Sequence, residues 1–302
     1  MRLSDLGDHK SHPYVVPRIT RRAEPWYNLG VSKAKLYRVE GIVLRRREHG
    51  EADHIITLLT PEGRVELLAR GVRKIRSRKA GHLELFCRTT LLARRSKSSW
   101  DNISQAEATT VRAGLQENFT RGTYARYVVE LVLRFFAGDA DAALFTLVDM
   151  TLELLEEAED PQRVIRWYEQ HLLILAGFRP EWGACVAERE GKPCGAPLRP
   201  RPDDRRPYGV APDRGGALCP DCFAARQGEG MVGQLSPSAL SWLQALQRQD
   251  YESVAGLTFP AQTAAELTHV MARYISYHLE RRPVVLRALR GNRQIRGVRS
   301  EE

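Results

Sequence analysis

No run of apolar residues comes near the roughly 18 that a membrane-crossing helix needs, and the first 30 residues lack the apolar stretch of a secretory signal. Cysteine is scarce, five in 302 residues and unevenly placed, which excludes a secreted disulfide scaffold and suits a reducing compartment. Catalytic signatures are missing as well. There is no Walker phosphate loop, no His-Glu-x-x-His and no Gly-x-Ser-x-Gly elbow, and the eight histidines are scattered with no nucleophile set beside a base. One dinucleotide-like spelling, Gly228-Glu229-Gly230-Met231-Val232-Gly233, follows a cysteine loop instead of an apolar strand and reads as a linker. These absences predict a soluble, cytoplasmic protein that is not an enzyme.

What is present is charge of one sign at one end. Residues 1 to 97 hold 22 Lys and Arg against 10 Asp and Glu, a balance of +12, whereas the whole chain carries +9, leaving −3 for the remainder. A polyanion-binding surface is therefore expected on the N-terminal part. Within it, Arg70 to Lys79 place six cations in ten residues: Arg70, Arg73, Lys74, Arg76, Arg78 and Lys79. Arg45, Arg46 and Arg47 add a second cluster, and Arg94, Arg95 and Lys97 a third. Such clusters bind phosphates by charge neutralisation, with affinity that falls steeply with salt and depends little on sequence. A charge run by itself is only a solvated loop; its place on a barrel is what points to nucleic acid. Aromatic partners for base stacking are few, with Tyr37, Phe86 and Trp100 available, and each also fits a core. His54 and His82 read as packed or surface histidines, and Cys87 as a buried free thiol in a strand.

Organisation follows from periodicity. Residues 1–35 mix Pro13, Pro17, Pro25 and Gly30 with scattered charge and predict a flexible basic extension. Residues 36–112 read as five short strands, including a hairpin whose turn Pro61-Glu62-Gly63 uses proline for its first dihedral and glycine for its second, and predict an OB-fold barrel. Residues 113–302 shift to helical spacing and predict an all-α bundle. Tyr124, Val128, Leu131, Val132 and Phe135 share one face, and Leu144, Leu147, Val148 and Leu155 another. Asp160-Pro161, Ser236-Pro237 and Pro260 each open a further helix, the last running to Arg281, and a basic tail begins at Gly291. The class is α+β and multidomain. Asp149, Glu153, Glu156 and Glu157 look like a solvated helix face, which argues against a metal-dependent nuclease.

A loop-rich insertion over about 182–226 carries Cys185, Cys194, Cys219 and Cys222. The second pair is a Cys-x-x-Cys; the first is widened to eight intervening residues. Proline and glycine crowd the span between them, a composition that needs a staple, so a structural Zn2+ held by four thiolates is expected, with free thiols in a loop as the alternative.

Several segments together resemble the RecO family of bacterial DNA repair and recombination mediators. They are Tyr37-Arg38-x-Glu40-Gly41-Ile42-Val43-Leu44-Arg45, Gly50-Glu51-Ala52-Asp53-x-Ile55, Arg70-Gly71-Val72-Arg73-Lys74 and Gly81-His82-Leu83-Glu84, followed by Ile103-x-Gln105-Ala106-Glu107, Leu175-Ala176-Gly177-Phe178-x-Pro180 and Arg273-Tyr274-Ile275-x-Tyr277-His278-Leu279. The resemblance covers about residues 36–290. It implies binding of single- and double-stranded DNA through the barrel, annealing of complementary strands, and work with RecR to load RecA onto DNA coated by single-strand-binding protein. It also implies that the helical domain receives the acidic tail of that coat protein in an apolar groove with a basic rim, for which Arg126, Arg134, Arg166 and Trp167 are the candidates. A generic zinc-stapled OB module preferring RNA is the competing expectation.

Overall fold

The structure is a computed structural model that describes residues 36–97, 99–136, 141–201, 203–257, 260–280 and Pro283. The N-terminal extension, Arg281 and the tail from Gly291 lie outside the described residues. Two compact units are present, one built from described residues 36–125 and 141–156, the other from 126–136 and residues after 156.

The first unit is a closed five-stranded barrel. Its strands are β1 (Leu36–His49), β2 (Asp53–Thr60), β3 (Gly63–Ala69), β4 (Arg88–Arg94) and β5 (Asp101–Thr110), in the order β1-β2-β3-β5-β4. This is the OB arrangement, with β3 and β5 parallel and the other pairs antiparallel. The 14-residue β1 serves two neighbours: Leu36 to Ile42 pair with β4 and Ile42 to His49 with β2. A register shift between Val43 and Arg45 lets the strand turn from one partner to the other. Side chains do not alternate at this corner, where Gly41, Ile42, Val43 and Leu44 are all buried. Gly41 is required there, since a Cβ would lie 2.8 Å from the Leu59 carbonyl oxygen and 3.2 Å from Leu58 Cβ.

The β2–β3 turn differs in detail from its sequence reading. Thr60 pairs with Gly63, so Pro61 and Glu62 are the central residues and Gly63 opens β3. Thr60 Oγ1 accepts from the Glu62 amide at 3.2 Å and donates to the Gly63 carbonyl at 2.8 Å, closing the turn through a side chain. Cys87 is buried, as expected, but precedes β4 instead of lying in a strand. Leu83, on a 3-10 turn at Ala80–Leu83, plugs the barrel with Val43, Ile56, Leu58, Leu67 and Leu91.

Helices α1 (Ala113–Glu117) and α2 (Phe119–Phe135) follow, then α3 (Ala142–Glu157). The barrel's unit extends past residue 112 because α3 is tied to it by charge. Asp149 receives Arg88 Nη1 at 2.8 Å and the buried Arg112, whose other nitrogen donates to the Phe86 carbonyl at 2.7 Å. Glu156 accepts from the Gly114 amide at 2.9 Å. The expected solvated acidic face is thus corrected at Asp149 and Glu156; Glu153 and Glu157 are exposed.

In the second unit α4 (Pro161–Leu175) begins as read, with Asp160 accepting from the Gln162 amide and proline in the first turn. Next come a two-residue hairpin, β6 (Glu188–Arg189) and β7 (Lys192–Pro193), then β8 (Tyr208–Ala211), β9 (Gly216–Leu218), α5 (Pro220–Ala225) and β10 (Gly233–Leu235), with β10-β8-β9 forming a small sheet. The Gly228–Gly233 run joins α5 to β10. Helices α6 (Pro237–Arg248), α7 (Tyr251–Ala255) and α8 (Ala261–His278) complete the bundle. Its core is aromatic, with Trp167, Trp182, Trp242, Tyr127, Tyr168 and Tyr274 buried. Inside it Glu169 accepts from Tyr127 at 2.7 Å and faces Arg166 at 2.9 Å; burial pushes its carboxyl up while Arg166 pulls it down. No helix among the described residues is long and apolar enough to cross a membrane.

Removing Asp149 leaves Arg112 charged and buried without its acid. Asp149→Ala is expected to lower stability by about 3 kcal/mol, read as a shifted midpoint in urea unfolding, with Asp149→Asn losing less.

Candidate nucleic-acid interface and four-cysteine centre

The candidate interface is made of three segments of the barrel. Where β1 runs beside β2, Arg45 and Arg47 are exposed and Arg46 is half-buried in an ion pair with Glu84. After β3, the loop 70–79 is fastened back to the β1–β2 turn. Asp53 Oδ1 accepts from the Gly71 amide at 2.7 Å, the Ala52 carbonyl accepts from the Arg73 amide at 3.0 Å, and Val72 is buried. At its far end Lys79 donates to the carbonyls of Arg70 and Ile103 at 3.1 and 3.0 Å, and burial lowers its pKa. Between these anchors Arg70, Arg73, Lys74, Arg76 and Arg78 are exposed, Arg73 reaching Glu48 at 3.2 Å.

The third connection, between β4 and β5, exposes Arg94, Arg95 and Lys97. The Arg95 guanidinium lies 5.4 Å from the Tyr37 ring, whose hydroxyl donates to Asp101 at 2.6 Å. Trp100 links this loop to β1: the Arg47 guanidinium is 5.9 Å from its ring and His49 packs edge-on at 5.3 Å. Of the twelve cations expected at the interface, ten are therefore exposed, and the ammonium of Lys79 and guanidinium of Arg46 are engaged internally.

The stacking candidates separate in the structure. Phe86 is core, with a left-handed backbone (φ 71°) and its amide donating to Val43 at 2.9 Å. Tyr37 and Trp100 are half-buried at the flank. His82 accepts from the Ala108 amide through Nδ1 at 3.2 Å, a packing role. His54 lies in a small cavity with Arg46, Val72 and Glu84; burial, then Arg46 and Arg73, lower its pKa and keep the ring neutral near pH 7.

In the second unit, the four cysteine sulfurs all lie within 4.8 Å of one another. Tetrahedral zinc with thiolate bonds of about 2.3 Å puts its sulfurs about 3.8 Å apart, so the donor set and spacing fit that ion. The widened first pair has a direct cause. Residues 188–193 fold into the β6–β7 hairpin, whose Glu190-Gly191 turn has positive φ at both residues (51° and 73°), and Cys194 returns beside Cys185. The Cys194 amide donates to the Ala187 carbonyl at 2.7 Å and the Cys185 amide to the Ala196 carbonyl at 2.9 Å, locking the base of the hairpin. Cys219 caps α5 and Cys222 sits in its first turn, while the Cys219 amide donates to Cys185 Sγ at 3.2 Å.

Burial pushes the Cys185 thiol up to about 12 and raises Cys222, and the Ala196 amide draws Cys194 down. Arg189, which sequence reading passed over, donates to Cys222 Sγ at 2.9 Å and Cys219 Sγ at 3.5 Å. It stands where a cation offsets thiolate charge, brought there by a hairpin that a two-residue strand pair barely announces. Among the described residues the cysteines are the one cluster of three or more side chains able to hold a metal.

The four groove candidates are not brought together as a surface. Arg126 is exposed, and Arg134 is half-buried and ion-paired with Glu130 at 2.7 Å. Arg166 and Trp167 are core residues of α4, 4% and 1% exposed, so neither can receive a peptide. Both lie on the buried face of α4, where Arg166 is paired with Glu169 and the Trp167 Nε1 donates to the Gln249 carbonyl at 3.1 Å. Among the described residues of this unit the exposed aromatics are instead Phe178 and Tyr277, whose rings lie 4.7 and 5.2 Å from that of His278.

Residues 34–112 match the family described as recombination protein O N terminal, and residues 116–287 match recombination protein O C terminal. A DNA repair protein RecO of Roseiflexus sp. is 34% identical over 262 residues, covering 86% of this chain and 87% of its own. Those of Symbiobacterium thermophilum and Moorella thermoacetica are 36% and 32% identical, covering 82% of this chain and 94% and 88% of theirs. With both halves matched in order on a barrel, a helical unit and a four-cysteine insertion, the chain belongs to the RecO family.

Proposed function

We propose that the chain is a DNA repair and recombination mediator that does no covalent chemistry. In this reading it binds single- and double-stranded DNA on the cationic flank, anneals complementary strands and, with RecR, promotes RecA loading onto strands coated by single-strand-binding protein. Ten exposed cations carried by three connected segments of an OB barrel are the observation that carries it. The name of the relatives, DNA repair protein RecO, supports it.

The mechanism is electrostatic. Two strands held on one cationic surface repel each other less, and base pairing supplies the driving force. No ATP is required. The flank has few groups that read base edges, so selection among sequences is left to the strands themselves. Such a role belongs in the bacterial cytoplasm, on the nucleoid. For the acidic tail of the coat protein, the exposed Phe178 and Tyr277 with the neighbouring exposed Arg179 supply the apolar surface and cation that an aromatic residue and a carboxylate need. Arg126 remains available as a further cation.

We assign the four cysteines to a structural Zn2+, held by Cys185, Cys194, Cys219 and Cys222. Four thiolates fill its tetrahedral shell and leave no open position for a substrate, so its contribution is to fold the insertion.

Annealing of complementary oligonucleotides coated with the cognate single-strand-binding protein tests the mediator reading. Acceleration that disappears when the coat protein lacks its acidic tail is expected. DNA binding without acceleration on either coat, together with tighter binding of RNA, would replace this reading with a generic OB module. Charge reversal of Arg73, Lys74, Arg76 and Arg78 to Glu is expected to weaken duplex binding and flatten its logarithmic salt dependence by about 3 units. Unchanged affinity would move the site elsewhere. For the metal, Cys222→Ser is expected to reduce bound zinc from about one per chain in a colorimetric assay and lower the unfolding temperature of the helical unit, with DNA binding by the barrel retained.

A further inference from the structure

Ile75 is 105% exposed, as open as in an isolated peptide. Among the described residues the next most exposed large hydrophobic, Phe119, reaches 69%. A lone apolar residue on a surface is ordinary; the setting of this one is not. It sits at the tip of a turn, Lys74-Ile75-Arg76-Ser77, closed by the Ser77 amide donating to the Lys74 carbonyl at 2.9 Å. A polar or turn-forming residue would serve that position at least as well for folding.

The tip is also held out on a fixed base. Gly71 and Arg73 are hydrogen-bonded through their amides to Asp53 and Ala52, Val72 is buried, and Lys79 closes the far end on two carbonyls. Four exposed cations, Arg73, Lys74, Arg76 and Arg78, lie within three residues of the isoleucine on the same loop. An apolar side chain carried between cations on an anchored loop meets the nucleic acid when the cations dock.

We propose that Ile75 is a wedge that enters between neighbouring bases of the nucleic acid held by these cations and unstacks them. The inference rests on the DNA-binding reading of the flank. Proteins that part base steps do so with a single apolar side chain of this size, whereas one isoleucine buries too little area to hold a protein on a membrane. Bases opened at the tip are free to test a new partner strand, which is what annealing requires.

The experiment uses the full chain and oligonucleotides with 2-aminopurine at one position, free or in duplex, together with a fluorescein end label that reports binding by anisotropy. Binding of the unaltered protein is expected to raise the 2-aminopurine emission. Ile75→Ala is expected to keep affinity within about fivefold and lose most of that emission gain, and Ile75→Phe to retain it. An equal gain from Ile75→Ala overturns the wedge while leaving the DNA-binding reading standing. No anisotropy change with the unaltered protein at low salt would overturn both. If Ile75→Ala leaves the emission gain intact but abolishes flotation with phosphatidylserine vesicles, the residue belongs to a lipid contact and the wedge is wrong.

Discussion

The barrel depends on one strand being shared. β1 spends its first half on β4 and its second on β2, and the change of partner at Ile42–Val43 is what closes five strands into a ring. That closure needs a bulge after Val43 and a residue without a side chain at Gly41, because Leu59 and Leu58 occupy the space a Cβ would take. Once β1 has turned the corner, its remaining residues run out of the core along β2. Arg45 and Arg47 are therefore carried to the same flank as the loop that follows β3, and Trp100 bridges to the loop that follows β4. The cationic surface is a consequence of barrel closure, assembled from segments distant in sequence.

Arginine plays opposite roles in this protein, and the difference is whether an acid is built in beside it. Arg112 is buried and bound by Asp149, where it fastens α3 to the barrel; Arg166 is buried against Glu169 in the helical core. Arg46 is intermediate, held by Glu84. The flank arginines Arg45, Arg47, Arg70, Arg76 and Arg78 are exposed to solvent. A buried pair of this kind adds little net stability compared with apolar packing, but loss of one member is severe. Residue type alone thus does not distinguish a fold-holding arginine from an exposed one.

The cysteine centre follows a similar logic. A Cys-x-x-Cys at the start of α5 is a local structure that any helix N-terminus provides, whereas the Cys185 and Cys194 pair exists only because a hairpin closes between them. The same hairpin carries Arg189 onto the sulfurs. Four thiols this close form a donor set able to hold a metal ion.

Much was legible in the sequence where the determinant is local. The Pro61-Glu62-Gly63 turn marked a hairpin, Asp160-Pro161 and Ser236-Pro237 marked helix starts that the structure reproduces with their capping hydrogen bonds, and the cations were clustered in sequence. The four cysteines announced themselves by type and by the composition between them. What sequence left open was decided by contacts between distant residues. Helical spacing could not tell that Arg166 and Trp167 point inward with partners at Glu169 and Gln249, because a charge is read as exposed until its counterion is seen. Nor could it tell that Asp149 is clamped by two arginines, that Lys79 is spent on carbonyls, or that Phe86 is core. Local chemistry settles which elements form. Only the tertiary structure decides which charges are neutralised within the protein and which stay exposed, since that depends on what the closed barrel and the bundle each bring within a few ångströms.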